Sequence, residues 1–134
     1  YLKEQNPAIQ IWAIDPIGSL LTHYFQTGIV DMNYVQPYIA EGFGEDFIPE
    51  NYDMSVINHF EQVNDKDGAL MTRRIAKEEG LFCGYSAGSC LQGLLQLKDT
   101  LKPTDIVVCI FHDHGSRYVG KVYNDEWMKS KGFL

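Results

Sequence analysis

The chain has 134 residues, a mass of 15.3 kDa, 45% hydrophobic residues and a formal net charge of −7 at neutral pH, the make-up of one compact domain with a real core. Its few Lys and Arg are scattered, which argues against a nucleic-acid partner, because neutralising phosphates takes clustered cations. The longest apolar stretch, Ile106 to Phe111, is far below the roughly 20 residues needed to cross a bilayer, and the first residues show no signal-peptide pattern, so a soluble, cytoplasmic chain is expected.

Ile9 to Ile14 is an apolar run rich in strand formers that Asp15-Pro16 and Gly18-Ser19 bring to a stop. Leu20 to Ala40 lacks a sustained period and reads as a short helix with a long loop. From Glu41 to Tyr52, glycines, a proline and an asparagine break up Phe43, Phe47 and Ile48, which predicts an irregular segment pinned by its aromatics. A weak strand, Ile57 to Val63, leads to Asn64-Asp65, which can cap a helix running to about Glu79, and Gly80 ends it. Ala69, Thr72, Ile75 and Ala76 share one face of that helix. Leu81 to Cys83 reads as a short buried strand entering the turn Gly84 to Ser89. Ala87, Cys90, Leu91, Leu94 and Leu95 then recur at helical spacing, and Pro103 forbids continuation.

Ile106 to Phe111 is apolar on both faces, the pattern of a central parallel strand. Asn124 to Lys131 reads as a short helix closed by Gly132. Strands alternating with helices predict an α/β fold with crossover connections. Three or four strands would leave an open edge, so residues 1–134 are expected to form a single incomplete domain. Cys83, Cys90 and Cys109 make neither a disulfide framework nor a zinc knuckle and are read as small buried hydrophobes.

In open α/β sheets ligands bind beyond the carboxyl ends of strands, which singles out the turn at Gly84 to Ser89. Ser86 there is either a helix cap or a neutral hydroxyl facing a ligand. A hydrolase elbow at the same turn would need an Asp and then a His as separate partners, which the adjacent Asp113 and His114 do not supply. His112 and His114 could share one side of an extended strand, yet no third ligand is evident, and no metal is expected. In Glu41-Gly42-Phe43-Gly44 the glycines permit either a tight turn or close approach to a ligand.

The ordered series Asp15-Pro16-Ile17-Gly18-Ser19, Glu41-Gly42-Phe43-Gly44, Asp46-Phe47-Ile48-Pro49, Glu79-Gly80-Leu81, Gly84-Tyr85-Ser86-Ala87-Gly88-Ser89 and Asn124-Asp125-Glu126-Trp127-Met128 spans essentially the whole chain. It resembles the fold type II pyridoxal-phosphate enzymes, and within them the cystathionine β-synthase branch that the cysteine synthases neighbour. The resemblance implies a partial three-layer parallel sheet, the C-terminal portion of that family's large domain. It implies pyridoxal 5′-phosphate as cofactor of the intact enzyme, small amino-acid substrates and a homodimer. Ser86 matches the serine whose hydroxyl meets the pyridine nitrogen, with Gly84, Gly42 and Asp113 also on the cofactor side and Glu41, Gly42 and Phe43 on the substrate side.

The family's Schiff-base lysine and its glycine-threonine phosphate loop lie N-terminal to the stretch matched here, and no lysine of this chain takes that place. The chain is therefore expected to be part of a longer enzyme and inactive alone. For the intact enzyme the resemblance implies β-replacement on serine or an activated serine, with homocysteine or sulfide as the thiol; a non-catalytic interaction domain that keeps the fold is the alternative. Two departures stand out: His112 precedes Asp113 where the family usually has proline, and Ser116 stands where the branch often has arginine.

Overall fold

A computed structural model describes all 134 residues. In chain order the elements are α1 (Leu2–Gln5), β1 (Trp12–Pro16), α2 (Leu20–Thr27), β2 (His59–Val63), α3 (Asp65–Glu79), α4 (Tyr85–Gln96) and α5 (Asp125–Ser130), joined by irregular segments and short 3-10 turns. The class is α/β. Strands β1 and β2 pair in parallel, from Trp12 opposite His59 to Pro16 opposite Val63, and they form a two-stranded sheet. Asn58 sets that register: its amide donates to the Ile11 carbonyl at 2.8 Å, and its side-chain Oδ1 accepts from the Ile11 amide at 2.9 Å.

Local chemistry sets the helix ends where expected. The Asn64 side chain accepts from the Asp67 amide at 2.8 Å, and Gly80 closes α3 in the left-handed region at φ 69°. Asn124 caps α5 in the same way, accepting from the Trp127 amide at 2.9 Å.

Three strand expectations change. The first strand begins later than Ile9 and runs through Asp15 and Pro16, because pairing with β2 rather than local composition decides its span. Leu81 to Cys83 is reduced to one antiparallel bridge between Cys83 and His114, with Leu81 half exposed. Ile106 to Phe111 is no strand at all. Its residues make no backbone–backbone hydrogen bond, and Ile106 and Val108 are 93% and 81% exposed. Apolar residues favour a strand only when another strand supplies donors and acceptors, and none lies beside this segment.

Helices α3 and α4 pack against each other and divide the core into two clusters. One gathers Ala40, Ala69, Tyr85, Tyr118, Val122, Met128 and Phe133; the other gathers Met71, Ile75, Cys83 and Ala87, with Phe111 packed on it. The Asp65 carboxylate accepts from the amides of Ile39 and Ala40 at 2.7 and 2.9 Å and so ties the long loop to the start of α3. Cys83 is buried as expected. Cys90 and Cys109 are partly exposed, so they are not buried hydrophobes.

Asp15 is 1% exposed, and its Oδ2 accepts from the Thr22 hydroxyl at 2.6 Å and the Thr22 amide at 3.1 Å, while Oδ1 has no partner. Burial raises its pKa above the ordinary 3.8, against the lowering by the Thr22 bonds. A raised carboxylate pKa means the native state binds the proton more tightly. Asp15 thus contributes most at acid pH, and its contribution is lost as pH rises from the unfolded value through the folded one. Asp15→Asn, which keeps an acceptor for Thr22, is expected to be more stable than the parent at neutral pH and to lose that advantage at acid pH. Urea denaturation at a series of pH values checks this; a deficit independent of pH would contradict it.

Candidate functional site

Helix α4 starts at Tyr85, with Gly84 at its N-cap position and no side chain capping it. Ser86 is therefore inside the first turn and does not cap the helix. Its hydroxyl is buried, and its partner is the Nδ1 of His112 at 3.4 Å. A hydroxyl can donate once and accept twice, so this single long bond leaves Ser86 with capacity for another group.

Asp113 lies beside the same turn. The Gly84 amide donates to the Asp113 carbonyl at 2.9 Å, and the Gly115 amide donates to the Phe82 carbonyl at 2.9 Å, which pins residues 113–115 against the entry to α4. Asp113 Oδ2 accepts from the Tyr118 hydroxyl at 2.9 Å, whereas Oδ1 is buried without a partner. Only glycine fits opposite it: a Cβ on residue 84 would sit 1.7 Å from that oxygen. Burial first, then the bond to Asp113 and its charge, pushes the Tyr118 hydroxyl up to about 12, so it stays a donor.

The loop at Glu41 to Phe43 joins this group through the cluster that contains Tyr118. Glu41 pairs with Lys121, Gly42 adopts φ 87°, and Phe43 packs on the cluster that contains Tyr118. Gly84, Ser86 and Asp113 are thus brought together, while Glu41 and Phe43 reach them through Lys121 and the Tyr118 cluster rather than by touching Ser86.

The two histidines turn to different partners. His112 meets Ser86, while His114 Nδ1 accepts from the Ser116 amide at 3.3 Å and lies 3.0 Å from the Ser116 hydroxyl, capping the turn at Gly115–Tyr118. The Ser86 and His112 contact looks like a nucleophile with its base, but no carboxylate hydrogen-bonds His112, since Asp113 is engaged with Tyr118. The hydrolase arrangement is incomplete. Tyr118 was not visible as a site residue in the sequence: it lies five positions beyond Asp113 with no motif around it. His112 was visible as half of a histidine pair with His114 and as a departure from the family pattern, not as the partner of Ser86.

Comparison with known proteins puts these residues in context. The family described as "Pyridoxal-phosphate dependent enzyme" matches residues 1–113. Cystathionine beta-synthase of Oryctolagus cuniculus is 35% identical over 133 residues, which is 99% of this chain and 24% of that protein. Cysteine synthase of Dictyostelium discoideum is 32% identical over 141 residues, covering 99% of this chain and 37% of that protein. Among solved structures, O-acetylserine dependent cystathionine beta-synthase from Helicobacter pylori superposes with a TM-score of 0.75 at 36% identity, over 92% of this chain and 38% of that one. O-ureido-L-serine synthase shares the fold, with a TM-score of 0.78 at 22% identity over 96% of this chain and 40% of that one. The chain spans about a quarter to two-fifths of these relatives, and no helix is long and apolar enough to cross a membrane. With the family match covering most of its length and the Ser86 turn in place, the chain belongs to the pyridoxal-phosphate dependent enzymes.

Proposed function

We propose that this chain supplies the pyridine-facing wall of the cofactor site in an enzyme that replaces the β-substituent of serine or an activated serine with the thiol of homocysteine. The observation that carries this reading is Ser86: a buried hydroxyl in the first turn of α4, released from capping and left with hydrogen-bonding capacity by its single long bond to His112. A buried hydroxyl with unused hydrogen-bonding capacity fits the polar end of a heteroaromatic ring. When bound, pyridoxal phosphate withdraws electrons from the α-carbon of an amino acid.

Ser86 is neutral and does not hold a proton on the ring nitrogen as a carboxylate would, which tempers that withdrawal and suits β-elimination and replacement. Asp113, fixed by Tyr118 and by the Gly84 amide, closes the wall behind it. Glu41, Gly42 and Phe43 form the opposite loop, assigned to the amino-acid substrate. Sulfide in place of homocysteine is the second reading, favoured by the likeness to cysteine synthase. A homodimer accompanies either. The 134 residues alone are proposed to be inactive, because none of the eight lysines is buried and a Schiff-base amine needs partial desolvation.

The test combines the chain with the N-terminal portion of a cystathionine beta-synthase relative that supplies the lysine. Cystathionine formed from serine and homocysteine is measured beside cysteine formed with sulfide, and the bound cofactor's visible spectrum is recorded. Ser86→Asp is expected to shift that spectrum and to lose at least about tenfold in turnover, since a charge opposite the ring nitrogen changes its protonation. An Asp variant with parental spectrum and turnover would remove Ser86 from the site.

A further inference from the structure

We infer that His112 is the positioning residue of Ser86: when a ligand nitrogen occupies the site, His112 Nδ1 donates to Ser86 Oγ and the serine's only proton is turned to that nitrogen. Ser86 Oγ lies 3.4 Å from His112 Nδ1, Ser86 is 4% exposed, and His112 is exposed. Two anchors hold the imidazole beside the first turn of α4. Phe111 packs on the cluster that contains Cys83 and Ala87, and the Asp113 carbonyl accepts from the Gly84 amide at 2.9 Å. The residue between them is thereby kept against Ser86.

Both partners can reverse their roles. A hydroxyl donates once and accepts twice, and a neutral imidazole is a donor at one nitrogen and an acceptor at the other. No carboxylate competes for His112: it forms no ion pair, and Asp113 Oδ2 is taken by the Tyr118 hydroxyl. In the chain without ligand, Nδ1 is the one protein partner of the Ser86 hydroxyl, which therefore donates to it and leaves the imidazole proton on Nε2.

A ligand nitrogen with a free lone pair changes this balance. Ser86 rotates its proton to that nitrogen, Nδ1 takes up a proton from water, and Nε2 releases one to water. The imidazole stays neutral and now donates to Oγ, so the buried hydroxyl keeps its partners in both arrangements. The ligand nitrogen meant here is the pyridine nitrogen of pyridoxal phosphate, an identification that rests on the reading proposed above. Proline, the family's usual residue before this aspartate, has no side-chain donor, so the arrangement belongs to chains that carry histidine here.

The experiment labels the histidine ring nitrogens of this chain with nitrogen-15. Spectra are recorded for the 134 residues alone and for the enzyme assembled with the N-terminal portion of a relative and pyridoxal phosphate. At about pH 9, where imidazoles are neutral, His112 in the chain alone should show Nδ1 unprotonated and Nε2 protonated. Ser86→Ala should move its Nδ1 signal and leave those of His23, His59 and His114 in place. With cofactor bound, the proton should be on Nδ1. His112→Ala should weaken cofactor binding roughly tenfold, and His112→Asn, whose amide keeps a donor in reach of Oγ, should recover most of that loss. An Nδ1 signal indifferent to Ser86→Ala, an Nδ1 whose protonation is the same with and without cofactor, or equal losses in the alanine and asparagine variants would each overturn the inference. The parent's own ring signals decide the second of these, so a variant that failed to fold would not shelter it. Bound cofactor whose spectrum shifts in Ser86→Asp, with Nδ1 still unprotonated, removes His112 alone. An assembled enzyme that binds no cofactor removes the reading of Ser86 and this inference with it.

Discussion

Replacing Gly88 with alanine is expected to cost about 3 kcal/mol of stability, at the upper end of the overpacking range. The residue lies where α3 and α4 cross, and a Cβ there would come within 2.0 Å of the Thr72 hydroxyl and 2.5 Å of both the Gly68 carbonyl oxygen and the Thr72 amide nitrogen. Two of these three neighbours are backbone, so no rotamer change relieves the collision and the helices must move apart. Thr72 would then lose its hydroxyl bonds to the Gly68 carbonyl at 2.8 Å and the Tyr85 carbonyl at 3.3 Å. Alanine's better helix propensity returns only about 1 kcal/mol. Gly93 is the internal comparison: a Cβ there meets only side-chain atoms of Ile14, which can turn away. Chemical denaturation of both variants should therefore separate them clearly. A Gly88→Ala midpoint equal to that of Gly93→Ala would show that the crossing is looser than the structure describes.

Tyr85→Ala should be at least as damaging, with an expected loss of about 4 kcal/mol, the usual cost of truncating a buried aromatic. The ring is 2% exposed, belongs to the cluster with Tyr118 and Met128, and lies against Gly68. Its hydroxyl donates to the Asp65 carbonyl, and burial pushes its pKa up, which keeps it a donor at neutral pH. Tyr85→Phe keeps the ring and removes that donor, and is expected to cost only about 1 kcal/mol. The two substitutions, compared in urea, apportion the packing and hydrogen-bonding parts of one residue. Equal losses would mean that the hydroxyl rather than the ring holds the helix pair together.

Legibility in the sequence tracked how local each decision is. Asn64, Gly80 and Asn124 act on amides or backbone angles within a few residues, and the helix ends they mark were readable in the sequence. The turn at Gly84 was equally readable, but Ser86's place within it was not, because Ser at the start of a helix is favoured as a cap and only the observed start at Tyr85 separates the two roles. Ile106 to Phe111 failed for the opposite reason. Its composition is that of a buried strand, yet a strand is defined by a neighbour that composition cannot see. Tyr118 and His112 owe their roles to residues 113 and 86. Such pairings follow from the chain path rather than from spacing.

The parallel pairing of β1 with β2 also has a kinetic side. Ile11 and Asn58, which set its register, are 47 residues apart, whereas Thr72 and Tyr85, which join α3 to α4, are 13 apart. Closing the longer loop costs about 1 kcal/mol more chain entropy. It also returns nothing until the register is complete. The helix pair should therefore organise the folding nucleus, and the sheet should condense on it late. Lesions at the helix crossing then slow folding, while lesions in the strands chiefly hasten unfolding.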